Sequence, residues 1–144
     1  MNENIVEILL IEDNPADVRM TQEAFKDCRI KNKISVIDNG VDALLYLRKQ
    51  GSYKDQIRPD LILLDLNIPQ KNGKEVLLEI KNDPDLKKIP VIIVTSSLLQ
   101  EDVLLTYNRY ANCYIIKPVG LDEFTAMIKK IETFWFETVK LPPR

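Results

Sequence analysis

Histidine is missing from this chain of 144 residues, and the gap removes whole classes of chemistry. Without it there is no Ser-His-Asp triad, no Cys-His pair and no histidine-ligated metal centre. The chain also has no phosphohistidine of its own to donate, so any phosphoryl relay through histidine has to begin on another protein. Cysteine is scarce. Cys28 and Cys113 stand far apart, outside any zinc or redox spacing, and read as buried free thiols of a reducing cytosol. An excess of basic residues is lacking too: the formal net charge is −2, so no electrostatic footprint argues for nucleic acid or an anionic membrane surface. No apolar stretch nears the roughly 20 residues of a membrane span. Met1-Asn2-Glu3-Asn4 lacks a basic start, so no secretion signal is expected. These absences point to a cytoplasmic protein.

What is present suits one domain. An apolar share of 45% and a charged share of 29% are ordinary for a globular chain, and the length matches the usual size of a single core. Apolar strand-like runs alternate with helix-like segments throughout. Strands are expected at Val6 to Ile11, Lys33 to Ile37, Leu61 to Leu64, Val91 to Val94 and Cys113 to Ile116. Asn14-Pro15 opens the first helix as cap and first helical residue, with Val18, Phe25 and Cys28 turned inward. Further helices are expected through Ala43, Leu44 and Leu47, over Lys74 to Lys81, from about Leu99 to Tyr110, and through Leu121, Phe124, Ile128, Ile131 and Trp135. Strict alternation of this kind implies the α/β class, a parallel sheet doubly wound by helices on both faces. The expected organisation is one domain over 1–144, with a core of about 5–135 and a C-terminal extension at 136–144. The run Phe134-Trp135-Phe136 points around a helix rather than to one face, so at least one ring is expected outside, on a docking or dimer surface.

Chemistry gathers at the strand ends. In a parallel sheet every strand points the same way, so Glu12 and Asp13, Asp65, Thr95 and Lys117 share one rim, where open α/β sheets bind ligands. Three carboxylates together repel one another, and a divalent cation removes that conflict. With only oxygen donors at hand, Mg²⁺ suits and zinc does not. One carboxylate can then act as nucleophile toward a phosphoryl group. Asp65 is the best placed, alone on a central strand, whereas Glu12 and Asp13 form an adjacent pair fit for metal. Lys117 supplies a point charge and Thr95 a hydroxyl for phosphoryl oxygens. Gly73 stands where the loop after Asp65 turns into a helix, a place suited to positive φ.

Ile11-Glu12-Asp13-Asn14, Asp65-Leu66-Asn67-Ile68-Pro69 through Gly73, Val94-Thr95-Ser96 and Ile116-Lys117-Pro118 together resemble the receiver domain of two-component response regulators, over about residues 5–135. The resemblance implies a flavodoxin-like (βα)5 fold with strand order 2-1-3-4-5. It implies Asp65 as phosphoacceptor, with Mg²⁺ held by Glu12, Asp13, Asp65 and the main-chain carbonyl of Asn67. It further implies that Thr95 and Lys117 contact the phosphoryl group, that the Lys117–Pro118 bond is cis, and that Tyr114 is the aromatic partner of Thr95 in a switch that remodels the face of the fourth and fifth helices. The donor would be a histidine kinase acting in trans, the acyl phosphate would be lost slowly by self-catalysed hydrolysis, and a homodimer through that face is a reasonable expectation. Tyr110-Ala111 departs from the family's Gly-Ala, so the helix before it is expected to end differently. The long segments Gly51 to Pro59 and Asn82 to Ile89, with the ending Phe134-Trp135 through Leu141-Pro142, look like the single-domain regulators that partner phytochrome-type kinases. The rival readings are a receiver-fold adaptor that needs no phosphorylation and an enzyme on the same architecture. The second lacks a Gly-rich loop to cradle a cofactor phosphate.

Overall fold

The computed structural model describes residues 5–144, and the polar segment Met1-Asn2-Glu3-Asn4 lies outside the described residues. Ten main elements alternate: β1 (Val6–Ile11), α1 (Pro15–Lys26), β2 (Asn32–Ile37), α2 (Gly40–Leu47), β3 (Leu61–Leu64), α3 (Gly73–Asn82), β4 (Val91–Thr95), α4 (Gln100–Asn108), β5 (Cys113–Ile116) and α5 (Leu121–Glu132). The strands form one parallel sheet in the order β2-β1-β3-β4-β5. This is the flavodoxin-like α/β arrangement that the alternation of runs and the resemblance led us to expect.

The continuous apolar runs follow from burial on both faces of the sheet. Side chains alternate: Leu9, Ile11, Ile62, Leu64, Val91 and Ile93 pack with Leu44, Leu47, Val76 and Ile80 of α2 and α3. Ile8, Leu10, Leu61, Leu63, Ile92 and Val94 pack on the other side with Phe25, Phe124, Ile128 and Ile131 of α1 and α5. Helix starts are set by short polar caps. The Asn14 side chain accepts from the Ala16 and Asp17 N–H groups, and that of Asn72 from the Glu75 N–H.

Several expectations need correcting. Leu121, placed on the inward stripe, is exposed because it stands in the first turn of α5, before the helix meets the sheet. Cys28 and Cys113 are free but half-buried rather than buried, one just past the end of α1 and one on the edge strand. Tyr110 does not change how α4 ends. It takes the left-handed conformation itself (φ 67), and the usual closing bonds form, Ala111 N–H to Thr106 carbonyl and Tyr110 N–H to Tyr107 carbonyl, both 3.0 Å. Its ring points into solvent, so the cost is confined to the backbone. The Lys117–Pro118 bond is trans, since no peptide bond among the described residues is cis; trans is the favoured form by about 0.5–1 kcal/mol, and the Lys117 side chain reaches the site from it.

Beyond α5 the helix widens to a π turn at Thr133–Thr138. Phe136 stacks on Phe25 at 5.9 Å between ring centroids, Trp135 is half-buried, and Phe134 is 51% exposed, so one ring of the three does face out. The tail returns to the amino-terminal ends of the central strands, where the Arg144 guanidinium grips both oxygens of Asp60 at 3.0 and 2.8 Å. No helix of the described residues is long and apolar enough to cross a membrane.

Candidate functional site at the carboxyl edge of the sheet

Backbone ladders run one residue past the strands and fix the site. The Asp65 N–H bonds the Ile11 carbonyl (3.0 Å), the Glu12 N–H the Ile37 carbonyl (3.0 Å), and the Lys117 N–H the Thr95 carbonyl (2.8 Å). Each side chain thus leaves the last rung of a rigid sheet, which is why residues so far apart in sequence meet.

Asp65 is 5% exposed. Its Oδ1 accepts from the Thr95 hydroxyl at 2.9 Å and the Asn67 N–H at 3.0 Å, and its Oδ2 from Lys117 Nζ at 2.6 Å. Lys117 Nζ also reaches Glu12 Oε1 at 2.5 Å and Asp17 Oδ2 at 2.8 Å. The second oxygen of Glu12 accepts from the Asp13 and Asn14 N–H groups at 3.1 and 3.2 Å. Asp13 is exposed at the rim, its carboxylate making no hydrogen bond or ion pair among the described residues. Asn67 is exposed too, beside Asp65.

The electrostatics separate the two buried acids. Burial pushes the Glu12 carboxyl up to about 7, helped by the neighbouring Asp65 charge and opposed by the Lys117 bond. Burial acts on Asp65 the same way, but there the bonds from Lys117, the Asn67 N–H and Thr95 outweigh it and hold the carboxyl below its ordinary range. Burial would lower Lys117, yet its bonds to Asp17, Asp65 and Glu12 hold the ammonium well above the usual lysine value. Asp65 is therefore ionised, the form in which a carboxylate is a nucleophile.

Asp17 escaped the sequence reading. An acid in the first turn of a helix ordinarily serves the helix N-terminus, so nothing local marks it, and only the arrival of Lys117 gives it a partner. Gly73 carries a second correction. Its φ is not positive; within that loop the left-handed residue is Gln70 (φ 68). Gly73 is needed for close approach, because a Cβ there would run into the Asp65 carbonyl oxygen and the Leu66 Cα. Tyr114 is half-buried, its hydroxyl donating to the Ser97 carbonyl at 3.1 Å.

No group of three or more acidic side chains among the described residues is arranged around a common cation position; instead Glu12, Asp17 and Asp65 share the Lys117 ammonium. The negative charge is left in excess, and every donor is a hard oxygen with no histidine or thiolate nearby. That donor chemistry fits a hard divalent cation such as Mg²⁺.

Comparison with known proteins finds similar sequences and folds. The response regulator receiver domain matches residues 8–129. Response regulator Rcp1 of Synechocystis sp. is 47% identical over 135 residues, covering 94% of this chain and 92% of that protein. The crystal structure of the phosphorylated cyanobacterial phytochrome response regulator RcpA aligns with a TM-score of 0.95 at 44% identity, covering 97% of this chain and 100% of that one. The Mn²⁺-bound form of Rcp1 aligns at 0.93 and 46% identity, over 96% and 99% of the two chains.

Proposed function

Because the chain belongs to the response regulator receiver domain family, we propose that it takes a phosphoryl group from a histidine kinase onto Asp65 and passes the signal on through a change of its surface. The observation that carries the assignment is the setting of Asp65: buried, and held by three donors at the last rung of a central strand. An Asp65 oxygen forms the new O–P bond as the N–P bond of the donor's phosphohistidine breaks, the imidazole leaving with the electron pair. The Asn67 N–H and Thr95 hydroxyl hold Asp65 Oδ1 in place, which leaves the other oxygen to attack. Lys117, already on that second oxygen, is positioned to move its charge onto a phosphoryl oxygen. Glu12, Asp13, Asp65 and the Asn67 carbonyl would hold a divalent cation, which supplies charge neutralisation for the phosphoryl oxygens when bound. Slow hydrolysis of the acyl phosphate then resets the site.

RcpA is a phytochrome response regulator, and this supports a phytochrome-type kinase as the donor and the cytoplasm as the location. Exposed Leu104 and Tyr107 of α4, with Ile116 at the end of β5, support a homodimer through the α4–α5 face, which sedimentation with and without beryllofluoride tests; only monomer in both would remove it. The phosphoacceptor reading is tested by incubation with acetyl phosphate and Mg²⁺. The expected result is one added phosphoryl mass that is absent in Asp65→Asn, and an unmodified wild-type protein would leave the adaptor reading in its place.

A further inference from the structure

α4 is held in an unusual way. The buried side chains of this helix are Asp102 and Thr106, both polar. Thr106 turns its hydroxyl back on the Asp102 and Val103 carbonyls, so that its polar contacts stay within its own helix. Asp102 does reach outside. One carboxylate oxygen pairs with Lys74 Nζ of α3 at 2.5 Å, and the other accepts from the Ser97 hydroxyl at 2.6 Å. Arg109, just past the end of α4, donates to the Lys74 carbonyl at 2.8 Å. The helix is therefore tied at both ends to one residue of α3, by polar contacts.

Ser97 is where this tie meets the site. Its hydroxyl bonds Asp102 and receives the Leu99 N–H at 3.4 Å, its carbonyl receives the Tyr114 hydroxyl at 3.1 Å, and its N–H points to Thr95 Oγ1 at 3.5 Å. Thr95 Oγ1 in turn bonds Asp65 at 2.9 Å. A group added to Asp65 would compete for the Thr95 hydroxyl, and Ser97 stands two residues further along the chain with its N–H on that same oxygen.

We propose that Lys74, Asp102 and Ser97 form a latch that sets the position of α4 and the docking of Tyr114, and so couples them to the state of Asp65. In this scheme Asp102 is a positioning residue, and Lys74 acts on the switch from α3 without touching the reacting atoms. The proposal rests on Asp65 being the phosphoacceptor. It predicts that the latch holds the tyrosine on Ser97 before any phosphoryl group arrives, and that cutting it leaves the tyrosine undocked until Asp65 is occupied.

The test uses the full chain labelled with fluorotyrosine, the Tyr114 ¹⁹F signal being assigned from Tyr114→Phe. Spectra are recorded with Mg²⁺, without and with beryllofluoride, for wild type, Lys74→Met, Lys74→Arg and Asp102→Asn. The expected result is a docked signal in wild type. In Lys74→Met and Asp102→Asn the docked-to-undocked ratio without beryllofluoride should fall by about five-fold or more, the lower end of coupling between linked sites, and Lys74→Arg should restore it. Unchanged Tyr114 signals in Lys74→Met overturn the latch even if Asp102→Asn proves unfolded, because Lys74 lies on the half-exposed side of the pair. The acetyl phosphate adduct is measured on the same samples. Its absence from wild type overturns the phosphoacceptor reading, whereas its loss in Lys74→Met alone would place Lys74 in the phosphoryl chemistry and overturn the latch.

Discussion

α5 and α4 flank the same edge strand and are held there by different forces. α5 sinks Phe124, Met127, Ile128 and Ile131 into the layer formed by Leu10, Leu63 and Ile92, each such side chain contributing about 1.5–3 kcal/mol. α4 leaves Leu104 64% exposed and buries only Asp102 and Thr106; its polar ties net about 1 kcal/mol apiece, somewhat more where a charge is involved. The lesson is that the two helices are fixed by different means: apolar burial, which is non-directional, seats α5, while directional polar contacts seat α4. Hydrogen bonds to a buried carboxylate are directional and can be exchanged for others, so they hold a helix in one of a few discrete places.

The sharpest way to break the contrast is truncation. Ile128→Ala should cost about 2–5 kcal/mol in denaturant unfolding, whereas Leu104→Ala should stay within about 0.5 kcal/mol; comparable losses would abolish the distinction. Next is Gly73→Ala, which drives a methyl group against the Asp65 carbonyl. A stability loss of about 1–3 kcal/mol is expected, as for other overpacked sites, together with slower modification by acetyl phosphate, since Asp65 itself must shift. A third experiment sharpens the polar side. Lys74 and then Ser97 hold the Asp102 carboxyl below its ordinary value, so its contribution is full above the unfolded value of about 3.9 and is lost as pH falls through the lower folded value. Urea midpoints of wild type and Asp102→Asn should therefore differ at neutral pH and converge in acid; a constant gap would show that the charge is not what stabilises. The smallest effect belongs to the end of α4. Tyr110→Gly relieves a left-handed residue and should raise stability by about 1 kcal/mol, read as a higher Tm.

Much of this was legible in advance. Val6–Ile11, Leu61–Leu64 and Cys113–Ile116 stand at the expected positions, because an apolar run bounded by polar residues marks a strand whether it is covered throughout, as β3 is, or half-buried at the sheet edge, as β5 is. Asp65, Thr95, Lys117 and Glu12 converge because a parallel sheet delivers all its ends to one rim. What the sequence hides is set by tertiary distance. Asp17 looks like a helix-end acid until Lys117 arrives from β5. Asp102 looks like another, and only the approach of α3 turns it into the partner of Lys74. Gly73 shows the limit from a different side. Its position was readable but its reason was not, since a crowding neighbour and a positive φ both demand glycine.

The ladder bond from the Asp65 N–H to Ile11 has a consequence on the clock of amide exchange. β3 is covered on both faces along its whole length, so its amides should open only with the whole molecule, whereas those around Ser97 and the start of α4 should exchange through local openings. On the function proposed above, the mark is written on a rung expected to exchange slowly and read out through a segment expected to exchange faster.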